Sequence, residues 1–179
     1  MKNLIKKALG NCKFPGTCIC EIKNSFERVI DEIFYVFDDG NESKNPVKVV
    51  SGDHSYQLTI TNKNNKEIFL IKTDKCLITE EISKCDCIIA SDVESYLVEI
   101  KSCSSGTRSK ARSKAATQLI STINYLQQHQ ISFIGHKLSA LICFKSNEPR
   151  IIQASRNSAN VIFKEKYGIS LKEGNTIRF

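Results

Sequence analysis

Apolar positions along the chain fall into two alternating styles, and the boundaries between them suggest the elements. Across 21–37, Ile22, Phe26, Val29, Ile30, Ile33 and Phe37 recur at helical spacing, with Glu27, Arg28, Asp31 and Glu32 on the other side or its borders. This predicts an amphipathic helix ended by Asp38-Asp39-Gly40-Asn41. Two short apolar runs, 57–61 and 67–73, surround Asn62-Lys63-Asn64-Asn65-Lys66 and read as a hairpin. Residues 85–90 and 96–101 read as two further strands joined by a turn at 91–95. From 108 to 130 the period is helical again, with Ala115, Leu119, Ile123 and Leu126 on one stripe. Strands are expected at 139–144 and 150–154, a short helix at 156–167, and an extended tail to Phe179. No internal repeat or long linker divides the chain. The expectation is one α/β domain over 1–179, a mixed β-sheet flanked by helices, with a Cys-containing N-terminal segment at 1–20.

Composition changes this picture little, but charge changes it sharply. The 179 residues hold 26 basic and 19 acidic side chains, for a net charge of +7. Between Glu99 and Glu148 there is no acidic residue, while Lys101, Arg108, Lys110, Arg112, Lys114, Lys137 and Lys145 all lie there. The whole net charge resides in that block. Such a run suits a polyanion, and the nucleic-acid contact is expected from Arg108, Lys110, Arg112 and Lys114. The chain has no apolar run of membrane-spanning length, so no membrane partner is expected. Its start, Met1 to Gly10, lacks the long apolar core of a secretory signal, which predicts a cytoplasmic setting with reduced thiols.

Eight cysteines divide into two kinds. Cys85, Cys87 and Cys143 sit in strand-like apolar runs and are expected to pack as small hydrophobes. Cys12, Cys18 and Cys20 cluster in a loop, where three thiols and a fourth ligand would hold zinc or an iron–sulfur cluster; the alternative is a turn with free thiols. Asp53-His54 reads as a polar loop pair, and His129 and His136 have no evident carboxylate partner.

The chemistry concentrates where the acid-free block begins. Side chains alternate along a strand, so Glu99 and Lys101 share one face, and Asp86, Ile88 and Ala90 share a face of the preceding strand. If the two strands pair antiparallel through 91–95, Asp86 and Glu99 converge near one end. Two hard carboxylates suit Mg²⁺ or Mn²⁺. Lys101 stands where it can orient a water or steady developing negative charge. Glu-x-Lys also occurs at 21–23 and 42–44, but only the third copy lies in a strand, behind an Asp-bearing strand and ahead of a basic helix.

Asp86, twelve intervening residues and then Glu99-Ile100-Lys101 resemble the PD-(D/E)XK nuclease superfamily. The resemblance spans roughly 21–146 in element order. It implies a restriction-endonuclease-like core and a metal-dependent nuclease, most readily one acting on DNA in preference to RNA. It also implies a flanking helix that supplies a Gln or Lys, for which Gln118 and Lys114 are the candidates, and a metal-binding Glu on the first helix. Glu27 is the nearest match to that Glu, with Glu32 next. Cys85 stands where many members carry Pro. Cutting both strands of a duplex calls for two active sites, which a homodimer would supply. Two other readings stay open: a nucleic-acid-binding module of the same fold without catalysis, and a regulator that binds metal through Cys12, Cys18 and Cys20.

Overall fold

The computed structural model describes residues 1–11, 24–40, 46–52, 54–79, 81–133, 135–144 and 156–179. A helix α1 (Lys2–Leu9) leads into β1 (Phe26–Val29), β2 (Ile33–Phe37), β3 (Lys48–Val50), β4 (Leu58–Thr61) and β5 (Ile68–Lys72). Then follow β6 (Cys87–Ala90), β7 (Glu94–Lys101), α2 (Arg108–Gln128), β8 (Lys137–Phe144), α3 (Arg156–Tyr167), β9 (Ser170–Glu173) and β10 (Thr176–Arg178). The class is α/β, with two mixed sheets and helices. The larger sheet runs β1-β5-β6-β7-β8-β9 and the smaller β10-β4-β2-β3. None of the described helices is long and apolar enough to cross a membrane.

The two faces of the larger sheet are chemically distinct because its strands alternate. Phe69, Ile71, Ile88, Leu97, Ala140 and Ile142 pack with Leu119, Ile123 and Leu126 of α2, Phe163 of α3, and Ile5 and Leu9 of α1. The intervening Leu70, Ile89, Val98, Leu141 and Cys143 pack instead against Phe34, Val36, Leu58 and Ile60 of the smaller sheet. A central strand with both faces covered is largely apolar: all five residues of β5 are buried, and the one charged among them, Lys72, is paired with Glu27.

Three expectations from the sequence change here. The helix predicted over 21–37 is two strands where it is described: Phe26–Val29 pairs with β5, and Ile33–Phe37 pairs with β3 and β4. The segment is rich in β-branched and aromatic residues, which suit a pleated surface, and the buried positions in β2 are Phe34 and Val36. Ile30 and Ile33, assigned to the helical stripe, are about half exposed at 51% and 49%. The runs at 57–61 and 67–73 are strands, but they do not form a hairpin. β4 joins the smaller sheet and β5 the larger. Buried Asn62 turns the chain between layers, donating to the Lys66 carbonyl (2.8 Å) and accepting the Lys66 N–H (2.9 Å). The tail is not merely extended, since it supplies an edge strand to each sheet, β9 and β10. The strand expected at 150–154 lies outside the described residues.

Helix α2 begins at Arg108 itself, so all four basic residues spaced by two lie on a helix. That places Arg108 and Arg112 on one face and Lys110 and Lys114 on another.

Candidate active site

β6 and β7 pair antiparallel, with Cys87 opposite Val98, and the Asp86 N–H continues the ladder by donating to the Val98 carbonyl (3.1 Å). Asp86 therefore lies opposite Glu99, on the side of the sheet that α2 covers. Its position is fixed from several directions. The Asp86 carbonyl accepts the N–H groups of Thr73 (3.2 Å) and Asp74 (3.3 Å), and its carboxylate accepts the Ile100 N–H at 2.6 Å. The hydroxyl of Thr73 donates to the Cys85 carbonyl. From above, α2 holds the same segment. The Cys85 N–H donates to Thr122 Oγ1 (2.8 Å), that hydroxyl donates to the Gln118 carbonyl (2.9 Å), and Gln118 Nε2 donates to the Lys84 carbonyl (3.0 Å).

Glu99 is fully buried. Its Oε1 accepts from Lys101 Nζ, while Oε2 and Gln118 Oε1 are buried atoms with no hydrogen-bond partner among the described residues. Orphaned acceptors of this kind are uncommon and costly. Burial, then the charge of Asp86, pushes the Glu99 carboxyl well above the usual carboxylate range. Burial, then the charge of Asp38, pushes Asp86 up to about 7. Burial dominates both shifts, and the Lys101 ammonium offsets part of each.

Asp86 borders a cavity of about 380 Å³ lined also by Asp38, Asp74, Lys101, Cys103, Thr107, Lys110, Lys114 and Gln118; Glu99 does not line it. Asp38 and Asp74 were not expected from the sequence. Asp38 follows β2 and was read as a helix stop; Asp74 is the second residue of the turn Thr73–Leu77 after β5. The available signal was an acidic residue just past the end of an apolar strand. Burial also raises the Asp38 carboxyl.

The other expected site residues are placed as follows. Glu27 lies on β1 opposite Leu70, on the face turned toward the smaller sheet, and is paired with buried Lys72 (3.0 Å). It is on the far side of the sheet from Asp86 and does not line the cavity. Glu32 sits in the β1–β2 turn and is exposed. Lys110 and Lys114 are exposed on the cavity rim and make no ion pair with a described residue. Arg112 is buried and grips Glu173 of β9 with two nitrogens, Nε to Oε1 and NH2 to Oε2 (3.3 Å). Arg108 reaches the same carboxylate at 3.9 Å and lies over the Phe144 ring. Lys137 pairs with Glu94 (3.4 Å). Lys101, Arg108, Arg112 and Lys137 of the acid-free run thus meet acidic partners from outside it.

Cys85, Cys87 and Cys143 are buried free thiols, with Cys85 and Cys143 pushed up to about 12 chiefly by burial. They are inert packing groups at neutral pH. Cys12, Cys18, Cys20 and Lys145 lie outside the described residues. His54 bonds Ser51 Oγ (2.7 Å), His136 bonds Ser95 Oγ (2.7 Å) and His129 packs on Tyr125.

A divalent ion fits this donor set in chemistry. Asp86 and Glu99 are hard oxygen ligands, and an orphaned buried Glu99 oxygen is the kind of atom a cation satisfies. Among the described residues, no three His, Cys, Asp or Glu side chains form a ready-made cage. Compared with known proteins, the chain matches no family model, no curated protein and no solved structure.

Proposed function

We propose that the protein is a metal-dependent nuclease of the PD-(D/E)XK type that hydrolyses phosphodiester bonds, with DNA the favoured substrate. The observation that carries this reading is the meeting, at one cavity, of Asp86 and Lys101 with fully buried Glu99 behind them and an exposed lysine pair beside them. Asp86 and Glu99 would hold Mg²⁺ or Mn²⁺. When bound, such an ion lowers the pKa of a water and neutralises charge on a phosphoryl oxygen. The protein's own groups supply the rest. Lys101, held against Glu99 Oε1, orients the attacking water and stabilises the oxyanion that develops. Gln118, tied to the Lys84 carbonyl, lines the cavity. Lys110 and Lys114, four residues apart on α2, hold backbone phosphates without reading bases.

In this reading Arg112 and, more loosely, Arg108 face Glu173, and phosphate contact is assigned first to Lys110 and Lys114, which make no ion pair with a described residue. Lys101→Ala tests the mechanism. It should suppress cleavage while leaving DNA binding largely intact, because a positioned group acts mainly in the transition state. Unchanged turnover would remove Lys101 from the reaction.

A further inference from the structure

We propose that the outer face of the smaller sheet is a stacking platform for single-stranded nucleic acid. This does not rest on reading the cavity as catalytic. The face follows from strand alternation. Phe34, Val36, Leu58, Ile60 and Ile177 turn toward the larger sheet and are buried, so their neighbours along each strand turn outward. The registers then set Tyr35 beside Val50 and Thr59, Phe37 beside Lys48, and Thr61 beside Arg178.

Aromatic rings occupy the middle of this face and basic groups its two edges. Tyr35 and Phe37 lie on the inner strand β2, while Lys48 and Arg178 are exposed on the opposite edge strands β3 and β10. None of the outward strand positions is acidic. Lys48 Nζ stands over the Phe37 ring, 5.8 Å from its centre. Tyr56, two residues before β4, packs on Tyr35 with ring centres 4.3 Å apart and planes tilted by 36°. Its side chain is 40% exposed, so the ring pair is open to water. Gly52 leaves room for the pair, since a Cβ there would lie 2.9 Å from Tyr35 Cε2.

A solvated sheet face is ordinarily polar, and three clustered rings on one call for a flat apolar occupant. Nucleobases stack on such rings with little regard to sequence, and they offer their faces only when unpaired. Lys48 and Arg178 supply the charge that phosphates need. The chain's net charge of +7 favours a polyanion here over a second copy of itself. Strand β2 also ends one residue before Asp38, which lines the cavity. A nucleic-acid strand laid along β2 therefore leads to the cavity.

The test is fluorescence anisotropy of labelled oligothymidylate, oligouridylate and a mixed-sequence DNA duplex, each titrated with the full-length chain in EDTA. Wild type is compared with Tyr56→Ala, Tyr56→Phe and the pair Lys48→Ala with Arg178→Ala, all first checked for native circular dichroism. Tyr56→Ala should weaken single-strand binding by about 5-fold or more and leave duplex binding unchanged, because only unpaired bases stack on a side-chain ring. Tyr56→Phe should restore it. The double variant should lower the salt slope for a single strand by about 1.4. The two oligonucleotides tell which sugar the platform accepts. Independently of any variant's folding, an iodouracil-substituted oligonucleotide crosslinked to wild type should map to peptides carrying Tyr35, Phe37 or Tyr56. The proposal is overturned if wild type binds neither single strand, if Tyr56→Ala binds them as wild type does or loses the duplex equally, or if the crosslinks map only elsewhere. A wild type that sediments as a dimer and becomes a monomer in Tyr56→Ala also overturns it, because the face is then a contact between copies.

Discussion

Replacing Asp86 with Asn should make the metal-free protein more stable at neutral and alkaline pH. The carboxyl is pushed from its ordinary 3.8 to about 7, first by burial and then by the charge of Asp38. At roughly 1.4 kcal/mol per pH unit, keeping it ionised in the fold above pH 7 costs at most about 4 kcal/mol. One side of the group meets the water of the cavity, and screening there brings the expected cost to about 2 kcal/mol. Asn keeps the shape and can still accept the Ile100 N–H that Asp86 accepts at 2.6 Å. The sign follows from the direction of the shift. The cost is absent below about pH 4, where Asp86 is protonated folded or unfolded, and reaches its full size as pH rises through about 7. Urea unfolding in EDTA at several pH values reads this as a midpoint increase of about 1 M for the variant at alkaline pH, given slopes of roughly 1–3 kcal/mol/M. The two proteins should converge at acid pH. Excess Mg²⁺ should then stabilise wild type and not the variant, because only a folded state that binds the ion gains from it. A variant that is less stable than wild type in EDTA at alkaline pH, or a difference that does not depend on pH, would refute the reasoning.

Three further outcomes follow from the same geometry. Changing Lys110 and Lys114 together to Ala should weaken DNA binding regardless of sequence and lower the salt slope by about 2, measured by titration at several salt concentrations. Arg112→Ala should instead cost stability, about 1–3 kcal/mol, by removing the two-nitrogen grip on Glu173, which keeps Arg108 at 3.9 Å, with the salt slope of DNA binding unchanged; calorimetric unfolding and the same titration separate the two effects. Thr122→Val should destabilise the fold by about 1–3 kcal/mol in chemical unfolding, because the buried Cys85 N–H loses its acceptor, while Thr122→Ser should restore it.

The centre of the fold was legible because its signals are local and strong. β6, β7, α2 and β8 carry long runs of a single period, and the alternation that puts Asp86 and Glu99 on one side of the sheet is a property of strands alone. The region before them was not. In 26–37 the apolar residues satisfy a 3.6-residue period, yet pairing with β3, β4 and β5 makes two strands of them. Nothing local distinguishes these outcomes, because a second sheet must exist before β2 has anything to pair with. The same limit hid Asp38 and Asp74, which reach the cavity from the ends of strands in two different sheets. It also made the basic run look more uniform than it is. Arg112 meets Glu173 across 61 residues of chain, a pairing no inspection of charge along the sequence reveals.

The central claim is that this cavity cuts phosphodiester bonds with the help of a divalent ion. The most direct measurement incubates the purified chain with circular single-stranded DNA, circular duplex DNA and RNA, in Mg²⁺, in Mn²⁺ and in EDTA, beside Glu99→Gln. The expected result is cleavage of DNA in at least one metal, none in EDTA, and none by Glu99→Gln, whose neutral side chain keeps the size of the buried carboxylate but not its charge. Cleavage that persists in EDTA or in Glu99→Gln, or no cleavage of any substrate by a wild-type protein that binds the metal, would contradict it.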